Sequence, residues 1–211
     1  MIEVYPKFYA PYIRGKLSKF LDLEQPRPEI QPYMNDETKW IVSEKLDGTN
    51  TRIIWDGYKL NVKGRTCASQ LQGFQQELLA KLTENGNYVF DELFGGKPVT
   101  IFGETIGEKI QKNPYNVTGD FLVFDILIDN VWITYDKVKE YSEQLGLHYN
   151  EHHSVRGWDN VLNEFEDRAN DAEKHNFYFE GLVAVPYHMP LDRLGNRVIT
   201  KIKVADFEQF H

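Results

Sequence analysis

Along the chain, short runs in which apolar and polar side chains alternate are interleaved with stretches in which apolar residues recur every three or four positions, the pattern of strands mixed with helices. Trp40 to Leu46 (WIVSEKL) reads as a strand, and Thr51 to Arg65 reads as a hairpin because Asp56-Gly57 sits between two β-rich arms. Ser69 followed by Gln72 forms a capping-box signal, and Leu71, Phe74, Leu78, Leu79 and Leu82 keep helical spacing. The spacing predicts a helix to about Asn85, with Gly86 as its stop. Val99 to Glu104, Phe121 to Ile128 and Val131 to Thr134 then read as strands, followed by a helix over Tyr135 to Leu145 that ends at Gly146. A further helix is expected over Trp158 to Ala169. Strands at Tyr178 to Pro186 and Arg197 to Val204, joined by a loop with Pro190 and Gly195, close the chain. The first 38 residues hold five of the nine prolines and read as an irregular lead-in with one helix near Gly15 to Leu23, leaving 39–211 as the folded domain.

Composition narrows the picture. A chain of 211 residues suits one compact α/β or α+β domain, and 41% hydrophobic with 27% charged residues is the balance of an ordinary globular protein. The formal net charge of −8 argues against a surface that holds nucleic acid mainly by basic patches, so any such site must be local. Cys67 is the single cysteine and cannot form an internal disulfide, which fits a reducing compartment and makes the cytoplasm the expected location. The first 20 residues lack the apolar core of a signal peptide, and no run of 18 apolar residues suggests a membrane span. His152-His153 and the scattered histidines offer no metal-ligand spacing, and the acidic run Glu164, Glu166 and Asp167 reads as a solvated face.

The candidate chemistry centres on Lys45-Leu46-Asp47-Gly48, a tetrapeptide that carries little weight alone. A lysine that attacks a nucleotide α-phosphate must be neutral at working pH, which calls for nearby cations or desolvation. It also needs cations for the phosphates, a carboxylate for a metal and a flat apolar surface for the base. Candidates for each are present, nearly all at predicted strand ends. Lys201 and Lys203 alternate and so share one face of a strand, Glu104 and Glu180 stand beside glycines, and Phe124 lies within an apolar strand. Each has a plainer reading: Phe124 as core, Arg65 as a solvated hairpin charge, Glu180 as a strand-edge carboxylate, and the lysine pair as an exposed strand face.

In order, SEKLDGTN, VKGRT, IFGETIGEKIQKN, FLVFDI, FEGLVAVP and TKIKV resemble the nucleotidyltransferase motifs of the RNA ligase 2-like family, over roughly Trp40 to Val204. That family belongs to the covalent superfamily that includes DNA ligases and capping guanylyltransferases. The resemblance implies an α+β fold, a single adenylyltransferase domain of antiparallel sheets flanked by helices. With His211 eight residues beyond Lys203, no C-terminal OB or helical domain is expected. It implies that Lys45 forms a lysine-AMP adduct, with Glu44 and Asn50 flanking the nucleotide and Arg65 contacting it or a 5′-phosphate end. Glu104 would bind the ribose hydroxyls, Phe124 would stack on adenine and Glu180 would bind metal. Lys201 and Lys203 would hold the ATP phosphates and activate the attack. Glu44 abuts Lys45 in sequence and must point to the opposite strand face.

The implied activity is that of an ATP-dependent RNA ligase, using ATP with Mg²⁺ or Mn²⁺, that passes AMP to a 5′-phosphate and seals it with a 3′-hydroxyl. Its partners would be RNA or DNA strand ends, with a partner protein supplying strand binding. Asp47 stands where the RNA ligase 2-like pattern often has histidine and where DNA ligases have aspartate, which keeps a compact DNA ligase open as the alternative. A guanylyltransferase is further off, and a nucleotide-binding subunit without turnover is the reading from a different class.

Overall fold

The computed structural model describes residues 4–16, 18–66, 71 and 73–210. Cys67 and the expected capping box at Ser69 and Gln72 lie outside the described residues. The strands are β1 (Tyr12–Arg14), β2 (Leu21–Pro26), β3 (Lys39–Glu44), β4 (Thr49–Trp55), β5 (Leu60–Gly64), β6 (Val99–Gly107), β7 (Gly119–Ile128), β8 (Val131–Trp132), β9 (His148–Tyr149), β10 (His152–Arg156), β11 (Gly181–Pro186) and β12 (Thr200–Lys203). The helices are α1 (Gly73–Leu82), α2 (Gly86–Phe94), α3 (Tyr135–Gln144) and α4 (Trp158–His175). The class is α+β, with antiparallel sheets and helices as expected. The chain divides into two compact units, one of residues 1–5 and 47–150 and the other of residues 6–46 and 151–211. Among the described residues no helix is long and apolar enough to cross a membrane.

The first unit is a six-stranded sheet in the order β5-β4-β6-β7-β8, with β9 added in parallel to β7. One face is apolar: Ile53 and Trp55 of β4, Val99 and Ile101 of β6, and Phe121, Val123 and Ile126 of β7 bury against Leu79, Phe90, Phe94 and Val138 of the helices. The Asp56-Gly57 turn forms as predicted, with Asp56 Oδ1 accepting from the backbone of Tyr58 and Lys59. Gly86 does not stop a helix. It starts α2, reached through Asn85 in the left-handed region, and a Cβ on Gly86 would come within 2.7 Å of Leu60 Cδ2. The glycine therefore serves close packing, and α2 is held by its buried residues Phe90 and Phe94, one turn apart.

The second unit is a four-stranded antiparallel sheet, β10-β3-β11-β12. Trp40 and Val42 of β3, Leu182 and Ala184 of β11 and Ile202 of β12 face α4, whose Trp158, Val161, Phe165, Ala169 and Ala172 form the buried stripe. The helix expected near Gly15 to Leu23 is instead the β1-β2 hairpin, in which Gly15 N–H donates to Phe20 O. Pro26 and Pro28 push the residues before them into extended conformations, and pairing with Tyr12–Arg14 then outweighs local helical spacing. Tyr12 and Ile30 of this early segment are buried in the core beside α4.

Candidate active site

Alternation along β3, β11 and β12 sends one set of side chains to α4 and the other to the opposite face. That opposite face carries the lysines. Lys45 lies one residue beyond β3, and its backbone N–H still donates to Gly181 O at 2.8 Å, so the ladder continues through Lys45. Gly181 pairs with Lys203, and a Cβ there would meet Ile202 O at 1.9 Å; only glycine lets the two strands approach this closely.

The preceding residue, Glu180, is shared between two cations. Its Oε2 accepts from Lys45 Nζ at 2.7 Å, and its Oε1 lies 3.1 Å from Lys203 Nζ, with the carboxylate side chain 11% exposed. Lys201 stands two residues before Lys203 on the same strand, with its Nζ 5.3 Å from the Phe8 ring. Burial, followed by the charges of Lys45 and Lys203, pushes the Lys201 ammonium below its ordinary pKa. Three lysines thus gather on one sheet face, with the Glu180 carboxylate between Lys45 and Lys203 and the charge of Asp206 also acting on Lys201. Glu44 belongs to the other face: its carboxylate pairs with Arg168 of α4, whose guanidinium also lies 4.8 Å from the Phe179 ring.

In the first unit, the sheet face opposite the core carries the remaining candidates. Asn50 and Glu104 are cross-strand partners on β4 and β6. Gly48 passes against β6 so closely that a Cβ would meet Thr105 O at 2.5 Å and Glu104 Cγ at 2.7 Å, which is the physical need behind the glycine of the KLDG motif. Asp47 N–H donates to the Tyr115 hydroxyl at 2.7 Å, a contact that sequence reasoning missed. Arg65 follows the end of β5 and is exposed.

Phe124 is not a core residue. β6 pairs Phe102 with Asp125 and Gly103 with Val123, so Phe124 is the extra residue of a β-bulge. The bulge turns Phe124 and Asp125 to the same side, where Tyr5 packs edge-on against Phe124 at 5.0 Å, contacts Phe102 at 5.1 Å and donates its hydroxyl to Asp125. The Phe124 ring remains half-buried, as a base platform requires.

Among the described residues no three His, Cys, Asp or Glu side chains cluster in a way that could hold a metal ion. Glu180 is the carboxylate paired with Lys45 and Lys203. A single carboxylate fits Mg²⁺ or Mn²⁺ only where phosphate oxygens and water complete the shell, which is the usual arrangement when Mg²⁺ accompanies a nucleotide.

Residues 38–203 match the family model for RNA ligase. No curated protein gives a significant match to the sequence. Among solved structures, an RNA ligase mutant from Naegleria gruberi with ATP and Mn aligns at a TM-score of 0.61 with 19% identity, over 83% of this chain and 52% of that one. A second mutant of the Naegleria enzyme, with AMP and Mn, aligns at 0.62 with 18% identity over 83% and 52%. An archaeal ATP-dependent RNA ligase aligns at 0.66 with 18% identity, over 97% of this chain and 49% of that one. The chain thus spans about half the length of the solved structures it matches.

Proposed function

Because the chain belongs to the RNA ligase family, we propose that it is an ATP-dependent RNA ligase that works through a covalent lysine-AMP intermediate on Lys45. The observation that carries this reading is the carboxylate of Glu180 between Lys45 and Lys203, with Lys201 beside them. Lys45 Nζ attacks the α-phosphate of ATP, an N–P bond forms, the bond to the β-phosphate oxygen breaks and pyrophosphate leaves. Glu180 Oε2, at 2.7 Å, is within reach of the proton that the Lys45 ammonium must lose. Lys201 and Lys203 neutralise phosphate charge as it builds. Glu180 is also the residue that would hold Mg²⁺ or Mn²⁺, which when bound supplies further charge neutralisation at the phosphates. The relatives solved with ATP or AMP and Mn support the choice of nucleotide and metal.

In the same reading Glu104 holds the ribose hydroxyls and Phe124 stacks on adenine, the stacking role supported by the half-buried ring on its bulge. Asn50, Arg65 and Glu44 complete the residues assigned to the nucleotide, Glu44 by way of its hold on the chain next to Lys45. A 5′-phosphate oxygen then attacks the adduct and frees Lys45, and a 3′-hydroxyl displaces AMP to join the strands. The strands are RNA, and with a net charge of −8 a partner protein supplies part of their grip. The single cysteine supports a cytoplasmic location. Intact-mass measurement after incubation with ATP and Mg²⁺ or Mn²⁺ tests the first step. A gain of one AMP is expected, and an unchanged mass with both metals would sink the proposal.

A further inference from the structure

β4 buries a guanidinium where its neighbours bury hydrocarbon. Arg52, between Thr51 and Ile53, is 1% exposed. Its Nε donates to Gly64 O at 3.0 Å, while its Nη2 is buried without any hydrogen-bond partner. Among the described residues no carboxylate forms an ion pair with it. The Cα partner of Arg52 on β5 is Lys63, a second cation on the same sheet face, where directly opposed like charges repel. Two residues back along β4, on the same face, Asn50 Oδ1 is also buried without a partner.

A buried charge with neither counter-ion nor full hydrogen bonding is strongly destabilising. A sheet that keeps one, with a lysine opposite, is built for an anion that arrives from outside. We propose that Arg52 is a phosphate-binding residue, its Nη2 donating to a phosphate oxygen while Nε stays anchored on Gly64 O. The planar fork suits a phosphate better than the point charge of a lysine does. The anion being a phosphate rests on the ligase reading, which supplies two sources: the nucleotide and the 5′ end of the strand.

The test measures melting of the full chain with AMP, with a 5′-phosphorylated RNA oligonucleotide and with the same oligonucleotide bearing a 5′-hydroxyl. The wild type should be stabilised by AMP or by the phosphorylated strand beyond its hydroxyl control. Arg52→Met should bind that probe at least about tenfold more weakly, since a hydrogen bond to a charged group is lost. Loss of the AMP response assigns the nucleotide phosphate, and loss of the strand response alone assigns the 5′ end. Without ligand, Arg52→Met should melt at the wild-type temperature or above it, because an unpaired buried charge has been removed, and Arg52→Lys should keep part of the ligand response. Probe responses retained in Arg52→Met, or a wild type that responds to neither probe, would overturn the proposal. So would a lower ligand-free melting temperature, failure to fold included, because the guanidinium would then be satisfied without an anion. An absent AMP adduct with these shifts intact would instead remove only the nucleotidyl-transfer reading.

Discussion

Replacing Glu180 by glutamine keeps the shape of the side chain and removes the charge that Lys45 and Lys203 share. At 2.7 Å and 3.1 Å, the gross attraction at each lysine is roughly 5 to 6 kcal/mol for an effective dielectric near 20. Desolvation cancels most of it, and breaking a buried pair costs a net ~3 to 5 kcal/mol. The lysine side chains are 22% and 31% exposed, so water screens part of the loss and the lower end applies. A cost of about 3 kcal/mol lowers the melting temperature of a chain of this size by about 6 to 12 °C. The repulsion left among Lys45, Lys201 and Lys203 is screened by salt, so the deficit of Glu180→Gln should shrink as ionic strength rises. Thermal melts followed by circular dichroism at low and high salt measure both effects. A variant that melts within about 2 °C of the wild type at low salt would show that the carboxylate is solvated and not shared, and the account of the lysine face would fall.

Lys45→Arg keeps the cation beside Glu180 but cannot offer a neutral amine, so folding should persist while AMP labelling disappears; a labelled variant would reassign the nucleophile. Phe124→Leu keeps apolar volume and loses the ring, so the apparent ATP affinity should fall about tenfold while the melting temperature changes little, and the reverse pattern would make Phe124 a packing residue. Lys201 is harder to protonate in the folded chain than in the unfolded one, so it costs stability below its folded pKa and this cost disappears as pH rises towards the ordinary value of 10.5. Stability measured by denaturant titration across that alkaline range should therefore rise less with pH in Lys201→Met than in the wild type, and equal slopes would refute the burial of its charge.

Period-two reasoning carried well where strands were regular. Lys201 and Lys203 were readable as sharing a face, and the opposite sense of Glu44 and Lys45 is borne out by their separate partners, Arg168 and Glu180. What stayed hidden depends on distant pairing. That Glu180 would join Lys45 to Lys203 follows from the β3-β11-β12 order, which no local spacing encodes. Alternation from Phe121 and Val123 already sends Phe124 to the face away from the core, but that Asp125 shares this face was not readable, because a bulge exists only relative to the partner strand. Gly86 has the same sequence signal whether it ends one helix or begins the next, and the left-handed Asn85 before it marks the new start only in the folded chain. Arg52 could have been noticed as the one charged residue within TRIIW, though that its Nη2 is buried without a hydrogen-bond partner emerges only in the folded chain.

The bulge at Phe124 also separates two kinds of change open to this sheet. Without that residue Val123 would still face the core, Asp125 the opposite side and Ile126 the core again, so the pleat would close over the gap with its register to β6 repaired. The extra aromatic residue is thus an insertion and not a substitution, gained or lost by a change of one residue in chain length. Lineages that lengthen or shorten β7 by a single codon at this point would alter what the sheet can hold while leaving its hydrophobic face untouched.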